Sequence, residues 1–290
     1  LVIAVFAVAG GSGYVGSWLC RELERRKLPW IAIERRAMEQ PEALSCWLEK
    51  VRPSAVINAA GFTGKPNVDA CELQKAECLA GNCVLPGTFR KACEAVGIPW
   101  GHVSSGCIFS GRRPDGGGFR ETDPPNFSFR QNNCSFYSGC KALGEEVLHG
   151  ADACYVWRPR MPFEWINSPR NYLAKLLHYP KLLDAENSLT YLPEFAAACI
   201  DCFEKKLPFG TYNLTNPGAI TTRQVVERMK DRGFSNKDFE FFADEAEFLA
   251  LAARTPRSNC VLDSSKALSA GLKLSPVEDA IQRCLESWQA

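Results

Sequence analysis

Four side chains near the middle of the sequence have the types and spacing to move protons. Tyr137 and Lys141, in "FYSGCKA", lie four residues apart at the start of a helical pattern and so share one face. An ammonium beside a phenol stabilises the phenolate and lowers the tyrosine pKa from about 10 toward working pH. Tyr137 is then a usable acid for a carbonyl oxygen whose carbon receives hydride. Upstream, "SSGCIFSG" (104–111) sets Ser105 at the end of an apolar strand pattern and Cys107 two residues beyond. Strand alternation would turn both into one cleft. That placement leaves Cys107 as packing or as a proton carrier.

A lone Y-x-x-x-K recurs by chance, and a surface tyrosine is its bland reading. Here it follows a serine at a strand end and, earlier still, the glycine loop "GGSGYVG" between an apolar run and a helix. Gly10, Gly13 and Gly16 would permit a tight turn, close approach of backbone N–H groups to a pyrophosphate, and close helix packing. The motif means little alone, but its position after a buried strand fits dinucleotide binding, with Ser12, Tyr14 and Val15 completing the loop. The second strand pattern ends "IERR". Glu34 suits a ribose 2′-hydroxyl, whereas Arg35 and Arg36 suit a 2′-phosphate, which favours NADPH with NADH as the alternative.

The elements that must position these groups follow from the pattern of the chain. Short apolar strands alternate with helical segments through the first half, predicting an α/β fold with a Rossmann-type doubly wound parallel sheet. Residues 1–157 read as the dinucleotide-binding domain. Residues 158–290 read as a smaller C-terminal substrate-binding lobe interleaved with it. The Gly-, Pro-, Asn- and Arg-rich stretch 111–135 is a long loop of the kind that serves function.

Composition narrows the class further. The 290 residues are 46% hydrophobic and 23% charged with a net charge of +1, which argues against nucleic acid or an acidic membrane as the main partner. Fourteen cysteines fall inside apolar or helical runs rather than in a disulfide framework, and Cys199 and Cys202 form a lone C-x-x-C. Three scattered histidines do not suggest a metal site. The expectation is a reduced cytoplasmic protein, with a homodimer as the candidate assembly. The opening run "LVIAVFAVAG" lacks a basic flank and is too short to span a bilayer, so it reads as a strand rather than a leader. The missing initiator methionine suggests a trimmed chain.

With these residues in view, the sequence resembles the extended short-chain dehydrogenase/reductases. Within them it is similar to dTDP-4-dehydrorhamnose reductases and most of all to plant-type nucleotide-rhamnose synthases, the 3,5-epimerase/4-reductases of UDP-4-keto-6-deoxyglucose. The segments that carry the likeness are "INAAGFTGKPNVDACE" (57–72), "SSGCIF" (104–109), "FRETDPPNFS" (119–128), "FYSGCKA" (136–142), "RPRMPF" (158–163), "NSPRNYLAKL" (167–176), "NLTNPG" (213–218) and "RSNCVLDSSK" (257–266). The second strand and 234–253 match poorly. The resemblance implies a UDP- or dTDP-linked sugar as substrate. It makes Tyr137 the acid, Lys141 the holder of Tyr137 and of the nicotinamide ribose, and Ser105 a hydrogen-bond partner of the keto oxygen. Asn58, Ala59 and Ala60 would line the cofactor, and Asn82 matches a helix asparagine that is often structural.

Gly106-Cys107 stands where single-activity bacterial reductases have Asp-Tyr and where 4,6-dehydratases have Asp-Glu. Lys175 falls on a lysine associated with epimerisation. In a 4-keto sugar one carbonyl acidifies the hydrogens at both C3 and C5, and cysteine and lysine can both carry such protons when their pKa values are lowered. Packing remains the bland reading of Cys107, and a surface or phosphate contact that of Lys175. Arg160 and Arg170 are candidate partners of a diphosphate or members of structural ion pairs. Thr63, Asn67, Asn126 and Asn171 are further candidate substrate contacts. Two other functions compete: another nucleotide-sugar epimerase, and a non-catalytic regulatory subunit with a reductase-like fold.

Overall fold

Residues 5–65 and 67–289 are described here from a computed structural model. The first four residues of the opening apolar run lie outside them. From Phe6 the run forms β1 (Phe6–Ala9), followed by α1 (Tyr14–Arg25), β2 (Trp30–Ala32), α2 (Pro41–Val51) and β3 (Ala55–Asn58). Next comes one long helical stretch: α3 (Lys75–Leu79), a π-helical turn at Ala80–Val84, and α4 (Leu85–Val96). β4 (Trp100–Val103), α5 (Phe136–Val147) and β5 (Cys154–Arg158) complete the first half.

The strands form a parallel sheet in the order Gly210–Asn213, β5, β4, β3, β1, β2. Because the chain winds outward from β1 in both directions, a crevice opens at the carboxyl ends of β1 and β3, where such sheets bind ligands. Both faces are apolar, as a doubly covered sheet requires. Phe6, Val8, Ile57, Tyr155 and Trp157 pack with α1 and α7 (Leu192–Glu204) on one side. Ala7, Ala9, Val56, Cys154 and Val156 pack with α2 and α4 on the other. Gly101 is needed within β4, because a Cβ there would lie 2.0 Å from the Trp157 ring.

Beyond residue 158 the chain builds a second core from Phe163, Leu173, Leu189, Val225, Met229 and Ile281. α6 (Tyr172–His178) lies there, as do the helices Thr222–Asp231 and Val277–Glu286. The same half returns to the sheet with Gly210–Asn213 and covers it with α7, so a boundary at 157 does not divide the sheet from the lobe. Cys199 and Cys202 are buried thiols on α7, and Trp157 Nε1 donates to Cys202 Sγ at 3.4 Å. No described helix is long and apolar enough to cross a membrane.

Two expected strands end early. The "WIAIE" strand stops at Ala32, and the strand before the active serine stops at Val103, giving way to a 3-10 turn at Gly106–Ile108. The second difference changes the basis for placing Cys107.

Candidate active site

The glycine loop leaves β1 through Gly10 in the left-handed region, at φ 73°. A Cβ on Gly10 would stand 2.6 Å from Ala60 N, and one on Gly16 would stand 2.0 Å from Gly10 O. The loop thus presses on the segment after β3 and α1 presses on the loop, a cradle that only glycine permits. Asn58 is fully buried: its Oδ1 accepts from Ala60 N at 3.1 Å and its Nδ2 meets His102 Nδ1 at 3.1 Å. It shapes the backbone that Ala59 and Ala60 present. His102 is held well below the ordinary histidine range by burial, with the Lys141 charge acting the same way, so it is neutral.

Ser12 and Gly13 are exposed at the rim, and Val15 is partly buried. Tyr14 instead packs into the core under the loop, its hydroxyl enclosed and raised above the usual phenol range by burial. Its side chain supports the loop and does not reach out of it. Glu34, Arg35 and Arg36 are exposed where β2 gives way to the turn Arg35–Met38. These residues fit a dinucleotide: an open backbone cradle for pyrophosphate and exposed guanidiniums for a 2′-phosphate.

At the carboxyl end of β4, the Ser105 Oγ accepts from Cys107 N at 3.2 Å, which leaves its own hydroxyl proton to donate. Helix α5 begins beside it. Ser135 caps the helix by accepting from Ser138 N at 3.2 Å, and Glu72 Oε1 accepts from Phe136 N at 2.7 Å. Gly144 lets α5 lie against the π-turn, since a Cβ there would sit 2.2 Å from Asn82 O. Glu145, one turn beyond Lys141, is tied to β5 by the buried Arg158 at 2.6 Å and accepts from Ser104 Oγ at 2.5 Å. Helix α5 and the sheet are therefore fastened at several points.

Lys141 is buried, and its ammonium donates to Val103 O at 3.4 Å. Burial lowers its pKa, while Cys107, Glu145, Cys78 and Cys140 push it back up. Tyr137 departs from expectation. Its pKa stands well above the usual phenol value, because burial and then the thiols of Cys107, Cys71 and Cys78 outweigh the Ser105 hydrogen bond that lowers it. The phenol therefore holds its proton, the form needed to protonate a carbonyl oxygen.

Cys107 reaches the site by a route that strand alternation does not describe. It sits in the 3-10 turn after the strand, buried, packed with Ile108, Phe119, Ala142 and Leu262 and flanked by Tyr137. Hydrogen bonds from Ser105 and Ser138 and the charges of Arg160 and Lys141 favour its thiolate, but burial outweighs them and raises its pKa. The thiol is protonated and borders both Ser105 and Tyr137.

Lys175 lies partly buried on α6, beside Arg170 and Arg257. Burial lowers its pKa, and the charges of Arg170 and Arg257 lower it further. Arg170 donates to Thr63 Oγ1 at 2.6 Å and to Gly64 O at 2.8 Å. Arg257 grips Asp69 with two bonds of 2.7 Å. The two arginines thus fasten the 61–72 loop to the second lobe, with Lys175 in their field.

The other candidate contacts serve the framework. Asn67 caps the turn Val68–Glu72 by accepting from Asp69 N at 2.9 Å. Asn171 is fully buried, capping α6 and donating to Glu164 O at 2.6 Å. Asn126 is exposed, with its amide spent on both backbone groups of Ser110. Arg160 is buried and engages Asn187 Oδ1 at 2.7 Å and the Ser258 carbonyl; its charge faces Cys107 and Cys260. Residue type alone does not distinguish an asparagine facing a ligand from one holding a loop.

Three contributors escaped the sequence reading: Asp69, Glu72 and Arg257. All lie in the segments 57–72 and 257–266 that carry the family likeness, but as charged residues with no mutual spacing they gave no sign of meeting.

Comparisons with known proteins give the family and the fold. The family description "RmlD substrate binding domain" matches residues 5–290. The chain is 32% identical over 281 residues to the bifunctional dTDP-4-dehydrorhamnose 3,5-epimerase/dTDP-4-dehydrorhamnose reductase of Arabidopsis thaliana, covering 95% of this chain and 90% of that protein. It is 33% identical over 266 residues to the trifunctional UDP-glucose 4,6-dehydratase/UDP-4-keto-6-deoxy-D-glucose 3,5-epimerase/UDP-4-keto-L-rhamnose-reductase RHM1 of the same plant. There the match covers 90% of this chain but 38% of that protein. Among solved structures, the L780 UDP-rhamnose synthase of Acanthamoeba polyphaga mimivirus superposes with a TM-score of 0.90 at 26% identity, covering 98% of this chain and 99% of that one.

Proposed function

The chain belongs to the RmlD substrate binding domain family, and on that premise we propose that it reduces a 4-keto-6-deoxy nucleotide sugar with NADPH and epimerises it at C3 and C5. The product is a rhamnose-type nucleotide sugar. The observation that carries this reading is the meeting of Ser105, Tyr137 and Cys107 around one point at the end of β4, with Lys141 beneath. A reductase needs the first two and Lys141. A thiol bordering the same point suits a proton carrier for carbons flanking the same carbonyl.

In this reading the loop of Gly10, Ser12, Gly13, Val15 and Gly16 holds the pyrophosphate, Ala59 and Ala60 line the adenosine side, and Arg35 and Arg36 take the 2′-phosphate. Bound there, NADPH supplies hydride to the keto carbon. Ser105 donates a hydrogen bond to the keto oxygen and Tyr137 protonates it. Groups that polarise this oxygen also stabilise an enolate, so Ser105 and Tyr137 serve both steps. Removing a proton at C3 or C5 and returning one to the opposite face takes two groups. Lys175, its pKa lowered by burial and by neighbouring cations, suits the base, and protonated Cys107 suits the donor.

Relatives supply the nucleotide names and the cofactor by analogy. Both UDP- and dTDP-sugars appear in them, and a dTDP-4-dehydrorhamnose reductase from Bacillus anthracis is described in complex with NADP. The reading is tested by offering UDP- and dTDP-4-keto-6-deoxyglucose with NADPH or NADH. Cofactor oxidation with either sugar and formation of the rhamnose product support it. No oxidation with any such sugar removes it and leaves an epimerase without net reduction or a non-catalytic role.

A further inference from the structure

Behind the catalytic helix lies a cluster of thiols that the reaction just described does not use. Cys71, Cys78 and Cys140 come from three elements: the turn Val68–Glu72, α3 and α5. All three are fully buried and pack as one group against Phe62, Phe136 and Tyr137. Cys78 is at the centre. Asn82, one turn along in the π-helical turn, donates through Nδ2 to Cys78 Sγ at 3.4 Å and to Phe62 O at 2.6 Å. The thiols of Cys71 and Cys140 pack in the same buried group beside that sulfur. The Lys141 ammonium is close to this group. A Cβ built on Gly61 would lie 3.1 Å from Asn82 Oδ1 and 3.5 Å from Lys141 Nζ, so both polar heads meet at one glycine.

A buried sulfur that accepts from an amide, packs beside two further thiols and lies near an ammonium is an arrangement for a thiolate. We propose that Cys78 is a buried thiolate that acts as counter-charge to Lys141, a positioning residue that keeps the lysine charged beside Tyr137. The π-turn fits this role, since such turns re-aim side chains and cluster at functional sites. Of the three thiols, Cys78 alone has its proton affinity lowered, and those of Cys71 and Cys140, packed beside it, are raised.

The charged and titratable groups facing Lys141 are few. Cys78 lies on α3, Cys107 on the turn after β4, His102 on β4, and Cys140 and Glu145 on α5 itself. Glu145 is already neutralised by Arg158, His102 is neutral, and Cys107 is protonated. Cys78 is therefore the counter-charge not committed elsewhere. Its loss lowers the pKa of Lys141, so the lysine discharges at lower pH and the reduction rate falls earlier on the alkaline side.

The test compares the wild type with Cys78→Ser and Cys78→Ala. Serine keeps size and hydrogen bonding but not the charge, so it controls for folding. One arm needs no substrate: thiolate ultraviolet absorbance of the native protein at neutral pH. It should drop by one thiolate equivalent in both variants. The kinetic arm rests on the reductase reading and measures NADPH-dependent reduction against pH. Both variants should move the alkaline limb downward by about one unit, a tenfold loss at alkaline pH with little loss at acid pH. Unchanged thiolate absorbance overturns the proposal even if no substrate is ever found. Parallel pH profiles with only a uniform loss of rate reduce Cys78 to packing.

Discussion

The two halves of the candidate site are built in different ways. Ser105 follows β4 and Tyr137 and Lys141 lie on α5, the next helix, which is pinned by Ser135, Glu72, Gly144 and Glu145. Lys175, by contrast, comes from the second lobe and lies in the field of Arg170 and Arg257, which tie loop 61–72 to that lobe. Cys107 lies at the seam between them. In the proposed reading, hydride chemistry is housed on the sheet side and proton chemistry at carbon straddles the two lobes. The two activities should be separable by mutation.

Four experiments would break or sharpen that contrast. The largest effect is expected from Tyr137→Phe, which removes the acid of the rigid half; reduction should fall by about a thousandfold, as loss of a general acid does. A loss below tenfold would mean that another group protonates the oxygen. Next, Cys107→Ala should cut deuterium uptake at C3 and C5 from D₂O by about a hundredfold, with NADPH binding by fluorescence intact. Exchange at the wild-type rate would return Cys107 to packing.

A smaller effect concerns pH. If Lys175 is the base, exchange should rise with pH through a lysine pKa below the ordinary value, because only the neutral amine accepts a proton. Replacing Arg257 by Gln removes a lowering charge, so this rise should move to higher pH while the reduction profile stays in place. A common shift of both profiles would show that the halves are not independent. The same variant frees Asp69 from a partly buried pair, and a cost of about 1–2 kcal/mol should lower the thermal midpoint by a few degrees. The smallest effect is expected at the cofactor: Arg35→Ser with Arg36→Ser should reduce the NADPH preference about tenfold, or 1.4 kcal/mol, read from the ratio of kcat/KM values.

The contrast also explains what was legible in the sequence. The doubly wound sheet, the glycine loop and the Tyr137–Lys141 pair are local patterns, set by alternation, helical spacing and turn geometry. Steric demand at Gly10 and Gly16 ties the cofactor cradle to the glycine motif itself. Cys107 was placed near Ser105 on a strand that stops at Val103; the proximity holds through a 3-10 turn instead. The lysine neighbour of Tyr137 predicts a lowered pKa, whereas burial and nearby thiols dominate, and both are properties of the packed chain. Asn126 and Asn171 looked like contacts because polar side chains in loops serve ligands and backbone alike. The Asp69–Arg257 clasp joins residues 188 apart in sequence, beyond the reach of any spacing rule.

The central claim is that one site both reduces C4 and moves protons at C3 and C5. The direct measurement is a single turnover of UDP-4-keto-6-deoxyglucose with NADPH in D₂O, following cofactor oxidation and recording deuterium in the product by NMR. The account predicts one NADPH oxidised per sugar and deuterium at both C3 and C5. Oxidation with no deuterium at either carbon would contradict it, leaving a reductase alone and the joint between the lobes without a part in the chemistry.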